Sequence, residues 1–144
     1  MPFELLEEIA IADACYKLTG TTLEELFESG FLALMDCVAD LKTVEANKEL
    51  SIEIKDKPVD KLLYEFLEEL VFLIDTESIV YNSCQLQIIS REKNDLYSLH
   101  AVLKGENIDY DKHEMRTDVK AVTYYQFYVK KIENRWEARV TFDL

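Results

Sequence analysis

Val59-Asp60-Lys61-Leu62-Leu63-Tyr64-Glu65-Phe66-Leu67, whose apolar residues recur at helical spacing, is followed by Cys84-Gln85-Leu86-Gln87-Ile88, whose apolar residues alternate. The first stretch continues through Leu70 and Ile74 as one buried stripe, and Asp75-Thr76-Glu77 ends that pattern in a polar turn. Pro58 suits the first turn of this helix because its missing N–H has no partner there in any case. Tyr97, Leu99, Ala101 and Leu103 repeat the alternation after the polar connection Arg91-Glu92-Lys93-Asn94-Asp95, so two strands form a hairpin. Residues 105 to 117 follow neither period and predict a loop longer than a hairpin needs. Two further strands, Asp118 to Lys131 and Arg135 to Asp143, meet at a turn through Glu133-Asn134. On the N-terminal side, residues 11 to 19 predict a strand closed by Gly20. A helix opens at Thr22-Leu23-Glu24-Glu25, with the Thr-x-x-Glu spacing of a capping box, and its stripe runs from Leu23 through Phe27, Phe31 and Leu34 to Leu41. Asn47 to Lys55 alternates through Leu50, Ile52 and Ile54 as a short strand. Sequential strands on short turns pair antiparallel. The expectation is one compact α+β domain, residues 1–144, with two helices on mostly antiparallel sheet in the order β-α-β-α-β-β-β-β.

Charge and cysteine usage narrow the function classes. Sixteen basic against 29 acidic residues leave a formal charge of −13, which repels phosphate backbones and argues against direct nucleic-acid binding over a broad surface. An acidic body suits a basic protein partner or metal ions, and acidity is also a common route to solubility. Cys15, Cys37 and Cys84 are odd in number and far apart, so neither a disulfide framework nor a zinc site is expected. No apolar run reaches membrane-spanning length, and Met1-Pro2-Phe3-Glu4 opens acidic, unlike a leader; a cytoplasmic protein away from membranes is the expectation.

Few residues offer chemistry. Three scattered glycines, Gly20, Gly30 and Gly105, make no phosphate-cradling loop. His100 falls on an alternating strand and reads as solvent-facing; His113 lies beside Asp109, Asp111 and Glu114, and its role is open. Asp109-Tyr110-Asp111 resembles a fragment of a calcium loop but lacks the glycine and distal glutamate of that pattern. At the C-terminus, alternation puts Trp136, Ala138, Val140 and Phe142 on one face and Glu137, Arg139, Thr141 and Asp143 on the other. The carboxylate of Asp143 and the terminal carboxylate of Leu144 are then neighbours, half of a site for a hard divalent cation. Asp13 stands mid-strand between Ala12 and Ala14, where aspartate is disfavoured; it is either a ligand or an inward charge guarding an edge strand. Lys120 is either a solvated lysine or the fixed counter-charge of a carboxylate cluster.

Taken in order, these residues resemble the archease family, small acidic protein partners of the RNA ligase that joins 3′-phosphate ends in tRNA splicing. The resemblance covers essentially the whole chain. It rests on Ala12-Asp13 with Gly20 seven residues on, Thr22-Leu23-Glu24-Glu25 with Phe27, and Leu62-Leu63 leading to Asp75-Thr76-Glu77. Gly105-Glu106, Asp109, His113-Glu114, Lys120-Ala121-Val122-Thr123-Tyr124, Trp136 and Asp143-Leu144 continue it. The resemblance implies that Asp13, Asp143 and the carboxylate of Leu144 hold a divalent cation, calcium first and magnesium or manganese next. It implies that Lys120 contacts the ligase or its nucleotide. It also implies a non-enzymatic activator that promotes guanylylation of the ligase's own active-site histidine and supports multiple turnover. The chain departs from the family at Ala10 and Tyr125, where histidine is usual, and at Cys15, where glycine is usual. Two alternatives stand beside this reading: a chaperone-like modulator of RNA-processing enzymes, and a small metal-dependent hydrolase, for which no separate general base is evident.

Overall fold

The computed structural model describes residues 2–7, 13–91 and 93–144. Among these residues seven strands and two α-helices follow in the order β1 (Phe3–Glu7), β2 (Asp13–Gly20), α1 (Leu23–Val38), β3 (Lys48–Lys57), α2 (Val59–Glu77), β4 (Ile79–Arg91), β5 (Leu96–Asn107), β6 (Ala121–Ile132) and β7 (Arg135–Asp143). The predicted order is reproduced, preceded by the additional strand β1, whose mixed Phe3-Glu4-Leu5-Leu6-Glu7 pattern gives little period to read. The strands divide into two sheets, β1-β2-β7-β6 and β3-β5-β4, and every pairing is antiparallel.

Local chemistry explains the element ends. Thr22 caps α1 by accepting the Glu25 N–H at 3.1 Å, and the Glu25 carboxylate reaches back to the Thr21 N–H at 2.7 Å, one residue before the position a standard capping box would use. The α1 helix stops at Val38, earlier than the predicted stripe; Leu41 belongs to a separate 3-10 turn, Leu41–Thr43, capped by Asp40. In contrast, α2 runs through Asp75-Thr76-Glu77, which form its last turn and not a connection, and it ends where Ser78 takes a left-handed conformation, φ 53°. The strand β3 extends two residues past Lys55, with Asp56 also left-handed, φ 54°. The strand β6 starts at Ala121, three residues after the predicted Asp118, while β7 has the predicted bounds.

The core lies between the sheets. α1 is buried nearly all round because β2 and β7 pack on one side of it and β4 on the other. The α2 helix shows the ordinary one-sided stripe, Leu62, Leu63, Phe66, Leu67 and Leu70, against β6, β3 and β5. All three cysteines are buried and free, and among the described residues no helix is long and apolar enough to cross a membrane.

The aperiodic loop has a structural explanation. Gly105 to Asn107 belong to β5, so the irregular stretch covers residues 108–120. An α-helix leaves its last carbonyls without partners. Here Thr117 N–H donates to Cys37 O at 3.0 Å and Arg116 N–H to Val38 O at 2.8 Å. The Arg116 guanidinium donates to Asp36 O at 2.9 Å, and Ala39 N–H closes onto Met35 O at 3.0 Å. The loop therefore caps α1 from a distance of about eighty residues in the chain. Its other end is held by His113, whose side chain is fully buried. Asp109 N–H donates to His113 Nδ1 at 3.0 Å, so Nε2 carries the proton and donates to Glu106 Oε1 at 2.8 Å. Glu106 also accepts from Lys112 Nζ at 2.8 Å and from Glu45 N–H at 3.1 Å. Together these bonds, the Lys112 contact foremost, hold its carboxyl down at about 2.

Candidate functional site

Strand register brings the separated acidic residues together. Asp13, first residue of β2, lies directly opposite Asp143, last residue of β7, and Ala121 of β6 pairs with Asp143 from the other side. Directly opposed residues share a face. The alternation along β7 puts Ala138, Val140 and Phe142 in the core, so Asp13 and Asp143 share the outer face of the four-stranded sheet, both half-buried. Leu144 follows immediately and is also half-buried. Neither aspartate enters an ion pair among the described residues, and the one charged residue of the stretch 8–12 just before Asp13 is acidic.

Two uncompensated carboxylates at opposed positions repel each other, and a hard cation with oxygen ligands would relieve that repulsion. The donor set therefore fits such an ion. Among the described residues no group of three His, Cys, Asp or Glu side chains is gathered at one point, so a full ligand set would draw also on main-chain oxygens or water.

Lys120 reaches the same end of the sheet by a different route. Its backbone N–H donates to Asp143 O at 2.8 Å, which ties the start of β6 to the end of β7. Its side chain is exposed and lines a groove beside α2, together with Glu68, Phe72, Asp75 and Asp118. It makes no ion pair with Asp13 or Asp143, so the counter-charge reading does not describe this arrangement.

Two of the family departures converge next to the carboxylates. Cys15 pairs with Thr141 two rungs along from Asp13, on the same face, and Arg139 Nε approaches the buried Cys15 sulfur at 3.1 Å. Tyr125 sits in a bulge of β6 that begins after Thr123, and its carbonyl accepts the Thr141 hydroxyl at 3.3 Å. Ala10 lies outside the described residues. His113 and His100 stand apart from this end of the sheet: the first is bonded into the loop anchor, and the second is exposed on β5 as its alternation predicts.

Further along the outer face, Glu137 accepts the Tyr128 hydroxyl at 2.8 Å and lies 3.6 Å from Lys17, which holds its carboxyl below the usual range. Among the described residues the carboxylates at the Asp13–Asp143 end have no such partners. The groove is what sequence reasoning missed, although Phe72 signalled it, an aromatic residue off the buried stripe of α2.

A chain in which two antiparallel sheets pack with two helices has known counterparts. A profile of the Archease protein family matches residues 3–144. The protein archease of Thermococcus gammatolerans is 38% identical over 134 residues, covering 92% of this chain and 93% of that one. That of Methanopyrus kandleri is 32% identical over 144 residues and covers all of both chains. The solution structure of Methanobacterium thermoautotrophicum protein 1598 superposes with a TM-score of 0.84 at 36% identity over 99% of each chain. A Thermotoga maritima archease, described as a possible chaperone, shares the fold with a TM-score of 0.67 at 17% identity. The chain belongs to the archease family.

Proposed function

We propose that this archease is a non-enzymatic activator of the cytosolic RNA ligase that acts on 3′-phosphate ends in tRNA splicing, promoting guanylylation of that ligase and its multiple turnover. The observation that carries the reading is the opposed pair Asp13 and Asp143, which lack a cation partner among the described residues and are joined through the Asp143 carbonyl to Lys120. Asp13, Asp143 and the Leu144 carboxylate would hold the divalent ion, calcium first, with magnesium or manganese as the next choices. Bound there, the ion would offset phosphate charge during nucleotidyl transfer.

This chain's own residues do the placing. The antiparallel β2–β7 pairing sets the two aspartates directly opposite each other on one sheet, which would limit the ordering needed when a ligand arrives. Lys120, one residue before β6, would meet the ligase or its nucleotide from the groove side. The −13 charge would steer the protein to a basic, RNA-binding enzyme without competing for its RNA.

The test is single-turnover guanylylation of the cognate ligase with GTP and divalent metal, with and without this protein. Acceleration by the wild type that disappears in folded Asp13→Ala and Asp143→Ala variants is the expected result. Full acceleration by both variants would refute the carboxylate mechanism, and stimulation that persists in chelator would favour the modulator reading. Calorimetric titration of the isolated chain with calcium reads the same residues without the ligase.

A further inference from the structure

One surface feature lies outside the carboxylate pair. Two cavities, of about 390 and about 400 Å³, share Val71, Asp75, Asp118 and Val119 in their walls and so form one groove between α2 and the loop of residues 108–120. The buried Val38, Val119 and Val122 line it. Around it stand large apolar side chains that folding has left in water: Phe72 is 57% exposed and Tyr110 80%. Tyr124, 62% exposed, extends the apolar surface along β6 from Val122, with its ring stacked on Tyr64 at 3.9 Å. Apolar residues clustered along one groove, unlike ones scattered singly, mark an interaction site.

The charge at the groove selects its occupant. Glu68, Asp75 and Asp118 line it and take no cation partner among the described residues. Arg116 is spent on Asp36 at 2.9 Å, which leaves Lys120 facing three carboxylates. A phosphate-rich ligand is disfavoured there, and so is a second copy of a chain with a formal charge of −13. A basic segment with a bulky apolar anchor has the complementary character. The groove is also continuous with the proposed site, because Lys120 belongs to both.

We propose that this groove docks an extended segment of the activated enzyme, a bulky apolar side chain seated beside Phe72 and Val119 with flanking lysine or arginine over Asp75 and Asp118. The inference rests on the activator reading. Docking here would carry the affinity, while the Asp13–Asp143 end would carry the acceleration.

The experiment measures binding of the full chain to the purified cognate ligase, and guanylylation as a function of chain concentration. Phe72→Glu, and separately Asp75→Lys combined with Asp118→Lys, are expected to weaken binding at least tenfold. For Phe72→Glu the acceleration should return at saturating concentration, a shift in half-saturation without loss of maximal rate. Ile89→Glu, on the edge strand β4 and 61% exposed, is the control expected to bind as wild type. Thermal unfolding of each variant verifies the fold. If the ligase binds wild type, Phe72→Glu and Ile89→Glu alike, the groove proposal is overturned and the activator reading stands. If the ligase binds none of them, the activator reading itself fails and takes the groove assignment with it. Self-association of the wild type that Phe72→Glu abolishes would make a second copy the occupant and overturn the proposal.

Discussion

Replacing Asp143 by asparagine separates the charge of the candidate site from its shape. The backbone carbonyl that accepts the Lys120 N–H at 2.8 Å is retained, and so is the register opposite Asp13. What is lost is one of two uncompensated negative charges. Cross-strand pairs contribute roughly 0.2–1 kcal/mol, and like charges directly opposed act with the destabilising sign. The variant in chelator is therefore expected to be more stable than wild type by up to about 1 kcal/mol. Calcium should reverse that order. At a hundred times its dissociation constant a ligand that binds only the folded state adds about 2.7 kcal/mol, which for a chain of this size raises Tm by roughly 5–10 °C. The increment belongs to the wild type and should be largely missing in Asp143→Asn. Urea denaturation in EDTA and in calcium, followed by fluorescence of the half-buried Trp136 on β7, reads both quantities. An asparagine variant that is less stable than wild type in EDTA, yet keeps the full calcium increment, would refute the reasoning.

Gly105→Ala is expected to cost about 3 kcal/mol in urea denaturation, the upper end for overpacking, because an added Cβ would lie 2.7 Å from Tyr81 Cα and against the Val80 carbonyl, backbone that cannot rotate aside. Gly30→Ala, whose Cβ would meet only the side-chain tips of Leu18 and Leu67 at 3.3 Å, should stay within about 1 kcal/mol of wild type, since mid-helix alanine offsets the crowding. Burial pushes the phenols of Tyr81 and Tyr128 up to about 12, and Tyr16 higher still with help from its 2.9 Å contact to Cys37. Raised pKa values mean that the fold binds protons the unfolded chain releases, so stability should be intact below pH 10 and fall from about 10 toward 12. An ultraviolet titration in which these tyrosines ionise with the exposed ones would contradict it. Glu106 has the opposite sign: its contribution is full above its ordinary 4.5 and is lost as pH falls toward about 2, so Glu106→Gln should flatten the acid limb of a stability–pH curve.

Element types were legible wherever one face is buried and the other wet, since that condition writes a period into the sequence. The α2 stripe and the β7 alternation are such cases, and the β7 bounds are found as read. Element ends were less legible. Thr22 signalled the start of α1 because its cap is local, whereas the helix end is satisfied by Arg116 and Thr117, residues that no window around Val38 contains. Residues 105–117 read as a loop longer than a hairpin needs because they have no period, yet much of the polarity there is spent on capping a helix and burying His113 against Glu106.

For the site, the sequence by itself determined the inventory: an aspartate in a strand where it is disfavoured, a C-terminal strand whose alternation turns Asp143 away from the core, and a strongly acidic chain. Side-chain chemistry and two-residue periodicity are local, so both survive in one dimension. Only the tertiary structure decided that Asp13 and Asp143, 130 positions apart, stand on one rung, because that depends on which strands pair and in what register. It decided also that Lys120 shares their backbone network but faces the groove under α2, where a helix, a loop and a strand edge, each unremarkable alone, enclose one acidic and apolar surface.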